Sequence, residues 1–89
     1  MKLADLIPEQ ELKEAVISDY EKKLVLYKLT DERFKRKYAM SFNEFAESNK
    51  VKEKNFSWEA ENDSMEWEHA VEGIRYVQTI LQKIKETNG

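Results

Sequence analysis

At 89 residues the chain has room for one domain, residues 1–89, and its lack of cysteine excludes a disulfide framework or a thiolate metal site. Only 2 Gly and 1 Pro, beside 37% charged and 40% hydrophobic residues, exclude a turn-rich β fold and point to long helices with solvated faces. Fifteen Lys and Arg against 18 Asp and Glu leave a formal charge of −3, which speaks against a nucleic-acid partner.

The first helix is expected from about Pro8 to Tyr38. Pro8 suits a first helical turn, and Glu9 and Glu11 suit the positive end of the helix dipole. Leu12, Val16, Tyr20, Leu24, Tyr27, Phe34 and Tyr38 recur at steps of three, four or seven and so share one face. Asp31 falls on that face and interrupts it. Thr30-Asp31 therefore reads either as the interior of one helix or as a break with a new N-cap. Val25, Leu26 and Leu29 point away from the stripe and need a cover. Leu3, Leu6 and Ile7, the short helix that follows, a second copy or another protein could supply it.

Ser41-Phe42-Asn43-Glu44 is a capping box that predicts a short helix from about Phe42 to Ser48. Asn49 to Asn55, with Lys50, Lys52 and Lys54, reads as a polar loop. Ser57 is the expected N-cap of the last helix, which runs to about Thr87 before Asn88 and Gly89 fray. Trp67, Ala70, Ile74, Val77, Leu81 and Ile84 alternate at steps of three and four, a seam by which one helix lies along another. The fold class is all-α: an antiparallel helical hairpin of two long helices with a short helix at the joint. Two-helix hairpins of this size rarely stand alone, so a two-fold homodimer forming a four-helix bundle is expected. No apolar run is long enough to span a bilayer, and Asp5 sits where a signal peptide would be apolar, so a cytoplasmic protein without a membrane partner is expected.

Glu66 and His69 form Glu-x-x-His, a spacing that brings a carboxylate and an imidazole onto one metal from adjacent turns. In that one spacing the chain is similar to the small two-helix encapsulated ferritins, which build a metal site across a dimer interface. Glu32 or Asp31 would be the further carboxylate. The competing reading places Glu59, Asp63 and Glu66 opposite Arg33-Phe34-Lys35-Arg36-Lys37 in an antiparallel hairpin, where acids facing bases set the register. Each exposed pair is worth about 0.2–1 kcal/mol. We adopt this reading and expect no metal and no other cofactor. With a single His, no Cys and no Gly-rich phosphate loop, no enzyme is expected either. Trp67 belongs to the seam. Trp58 is read either as packed on the joint helix or as an exposed anchor for a partner.

Lys37-Tyr38-Ala39-Met40-Ser41-Phe42-Asn43-Glu44-Phe45, then Ser57-Trp58-Glu59 and Met65-Glu66-Trp67-Glu68, resemble a group of small acidic prokaryotic proteins, many of them antitoxin-like. Ala39 stands where their pattern has Gly. The resemblance implies a protein that masks a toxin-like partner and brings no catalytic residues. The expected partner-binding residues are Val25, Leu26 and Leu29 with Trp58, Glu59, Asp63 and Glu66.

Overall fold

The computed structural model describes residues 6–48 and 58–86. The expected loop at 49–55, the Ser57 cap, Leu3, Asp5 and the chain end at 87–89 lie outside the described residues. Among the described residues three helices follow in order: α1 (Glu9–Tyr38), α2 (Phe42–Glu47) and α3 (Trp58–Glu86). α1 and α3 pair as an antiparallel hairpin, and α2 packs across the joint.

α1 is one unbroken helix of 30 residues, about 45 Å long. Pro8 is its N-cap rather than its first residue, and the Pro8 carbonyl accepts from the Leu12 N–H at 3.0 Å. The helix continues through Thr30, whose hydroxyl donates to the Leu26 carbonyl at 3.2 Å instead of capping a new start. It ends at Ala39, which adopts the left-handed conformation with φ 56° and ψ 38°. A glycine usually takes this place, because a Cβ crowds the carbonyl there.

The capping box forms as the sequence predicts. The Glu44 N–H donates to Ser41 Oγ at 3.2 Å, and the Ser41 N–H reaches Glu44 Oε1 at 3.5 Å. α2 stops at Glu47, one residue short of expectation, and Ser48 caps it by donating its N–H to the Glu44 carbonyl at 2.9 Å.

The core is concentrated at the joint end. Trp67 is fully buried and lies among Phe45, Phe34, Phe42 and Tyr38, at ring-centroid distances of 5.1, 5.5, 5.5 and 5.8 Å. Met40 and Val71 pack against this cluster. Farther along the hairpin, among the described residues, only Ala70 and Val77 are buried. The Leu12–Tyr38 stripe does face α3, yet Phe34 is its one buried member; Leu12, Tyr20, Leu24 and Tyr27 are half-buried and Val16 is exposed. Two helices alone cannot close over both sides of a shared seam, so its margins stay open.

Gly73 permits a close approach in the middle of the hairpin. A Cβ built there would lie 2.6 Å from the Tyr27 ring, which also meets His69 edge-on with centroids 5.6 Å apart. The radius of gyration is 17.8 Å and the extents are 55 × 26 × 16 Å, against about 12 Å expected for a compact chain of this length.

Candidate functional site

The antiparallel pairing brings the last turns of α1 against the first turns of α3, and the basic and acidic runs meet as the spacing predicts. Arg33 pairs with Glu66. Lys37 Nζ lies 2.6 Å from both Glu59 Oε1 and Asp63 Oδ2. The Tyr38 hydroxyl donates to the same Asp63 oxygen at 2.6 Å. These contacts set the register of the hairpin, and they occupy the three acids expected to face a partner.

The charges shape one another. Burial pushes the Asp63 carboxyl up, but hydrogen bonds from Lys37 and Tyr38 outweigh it and leave Asp63 below its ordinary value. Lys37 holds its proton more tightly than usual through its bonds to Asp63 and Glu59. Tyr38 is pushed up to about 12, first by burial and then by its bond to Asp63.

Glu32, Glu66 and His69 do not form a ligand set within one chain. Glu66 is held by Arg33, Glu32 lies 3.5 Å from Lys35, and His69 packs on the Tyr27 ring. Among the described residues there is no group of three His, Asp or Glu side chains placed to hold a metal ion.

The apolar members of the expected partner set stand clear of the fold. Val25 is 56%, Leu26 63% and Leu29 59% exposed. Neither described candidate within the chain covers them. Leu6 is itself exposed, and Leu6 and Ile7 precede the start of α1 at Glu9, which lies about 24 Å along the helix axis from Val25, while α2 is committed to the joint cluster. Trp58 is 77% exposed and so is not packed into the joint.

The sequence marks Asp31 as an interruption of the apolar face and a possible metal carboxylate, but not as the acceptor for Trp67. Asp31 Oδ1 accepts from the Trp67 indole N–H at 2.8 Å and its Oδ2 meets Lys35 at 3.2 Å, so the polar residue on the apolar face serves the core. A tryptophan expected on the opposing seam was the available signal, since a buried indole needs an acceptor.

Among the described residues no helix is long and apolar enough to cross a membrane. No family model, curated protein or solved structure matches the chain.

Proposed function

We propose that this chain is a non-enzymatic protein-interaction module. In this reading it self-associates through the outer face of α1 into a four-helix assembly and masks a partner protein in the cytoplasm, in the manner of the antitoxin-like proteins its Lys37–Phe45 and Ser57–Glu68 motifs resemble. The observation that carries the reading is the uncovered patch of Val25, Leu26 and Leu29 at the middle of the longest helix. Apolar groups adjacent on a rigid helix favour association, because water is released when they are covered.

The surface area supports the same reading. The chain exposes 6886 Å², whereas a compact monomer of 10.6 kDa exposes about 5500 Å². A stable pair removes about 800 Å² from each partner, which this surplus can supply.

The test is absolute mass by light scattering. The expected result is twice the 10.6 kDa chain mass, falling to the single-chain value in Leu26→Lys/Leu29→Lys with the helix signal intact. A single-chain mass for the unaltered protein at every concentration would overturn self-association. Collapse of helicity in the variant would make the two leucines part of the fold instead.

A further inference from the structure

The outer flank of α3 carries a second pattern, which reaches α1 only at Tyr76. Trp58, Glu61, Met65, Glu68, Glu72 and Tyr76 follow at steps of three and four, which aligns them on one strip of helix about 27 Å long. The strip is open: Met65 is 69% and Tyr76 59% exposed, Trp58 more so, and all three glutamates are exposed. Tyr76 is steadied by an edge contact with Tyr20, centroids 6.5 Å apart. Every acid on the flank facing α1 is paired: Glu59 and Asp63 with Lys37, Glu66 with Arg33. Glu61, Glu68 and Glu72 make no ion pair or hydrogen bond among the described residues. Glu68 and Glu72 stand one turn apart as like charges, an arrangement that weakens a helix standing alone and that a cation relieves.

We propose that this strip docks a basic amphipathic helix of another protein. Its apolar residues would sit against Trp58, Met65 and Tyr76, and its lysines or arginines opposite Glu61, Glu68 and Glu72. The charge decides the occupant. Three unneutralised carboxylates repel phosphate-bearing partners such as nucleic acids and anionic lipid surfaces. A second copy offers mixed charge and not a run of cations, because Glu21 and Glu32 border its outward apolar patch beside Lys22, Lys28 and Arg36. Complementary charge guides encounter and excludes wrong partners, while a large aromatic anchor supplies the buried contact. The proposal rests on reading the chain as an interaction module.

The experiment titrates the full chain with a synthetic helical peptide bearing leucine at its a and d positions and lysine at e and g. The emission of Trp58 is the readout, with buried Trp67 as a constant background. The expected result is saturable binding with a blue shift, weakened by salt, and at least tenfold weaker with Glu61→Lys/Glu68→Lys/Glu72→Lys. Trp58→Ser, at the exposed start of α3, should weaken peptide binding, measured by calorimetry, with no change in helix signal. The same peptide with glutamate replacing lysine should not bind. Absence of saturable binding, or equal affinity for the reversed-charge variant, would overturn the proposal. A halved mass in Trp58→Ser would overturn it too, by making the strip a contact between copies. If the strip fails while Leu26→Lys/Leu29→Lys still changes the mass, the interaction reading survives and this assignment alone falls.

Discussion

Asp31 on α1 and Trp67 on α3 are joined across the hairpin by a 2.8 Å hydrogen bond from the indole N–H to Oδ1. The bond supplies the only polar need of a fully buried tryptophan, at the centre of the aromatic cluster. Asp31→Ala should therefore lower stability by about 1–3 kcal/mol, since it orphans a buried donor. Asp31→Asn keeps an acceptor and should lose less than half as much. Urea denaturation of the two variants separates these outcomes; equal losses would assign the effect to the Asp31–Lys35 ion pair instead.

Ala39 holds φ at 56°, where a side chain is strained and glycine is not. Ala39→Gly should stabilise the protein by about 1 kcal/mol, read as a rise in melting temperature of roughly 4–8 °C. An unchanged or lower melting temperature would mean that the extra freedom of glycine in the unfolded chain cancels the relief of strain.

At Gly73 two effects oppose each other. Alanine gains about 1 kcal/mol of helix propensity, while its Cβ meets the Tyr27 ring and forces a shift that overpacking places at about 1–3 kcal/mol. Gly73→Ala should therefore destabilise the protein, and the same change in a Tyr27→Ala background should stabilise it. A double-mutant cycle measures the reversal. The same sign in both backgrounds would show that the ring moves aside freely.

The Lys37–Asp63–Tyr38 contacts make stability depend on pH at both ends. Asp63 lies below its ordinary 3.8 when folded, so its support is present above that value and is lost as pH falls through the depressed one. Tyr38 is raised from 10.0 to about 12, so its support is present below pH 10 and is lost as pH rises toward 12. Lys37, held above its ordinary 10.5, adds a loss on the alkaline side. Urea midpoints measured across pH should fall at both extremes, and Tyr38→Phe should shrink the alkaline fall. An identical alkaline profile in that variant would remove Tyr38 from the account.

Much of this fold is legible in the residues themselves. The three-and-four spacing from Leu12 to Tyr38 and from Trp67 to Ile84 implies two helices with facing stripes, and Ser41 with Glu44 marks the short helix between them. Opposing runs of base and acid imply the register that Arg33, Lys37, Glu59 and Asp63 realise. Asp31 is opaque in one dimension, because a polar group on an apolar face makes sense only once Trp67 stands opposite. The outer strip of α3 is hard to see for a related reason. Its apolar members are diluted by glutamates, so the pattern reads as solvated surface until the paired acids are separated from the unpaired ones.

The elongation of the hairpin bears on how its size is judged. A globular chain with a radius of gyration of 17.8 Å would have about 250 residues. A gel-filtration column calibrated with round standards would thus overstate the mass of even a single chain, reporting an oligomer where none exists. Diffusion would be slow along the same lines, and tumbling would be anisotropic, with nuclear relaxation differing between vectors along and across the 55 Å axis. Counting copies therefore calls for a measurement that weighs the particle rather than one that gauges its drag.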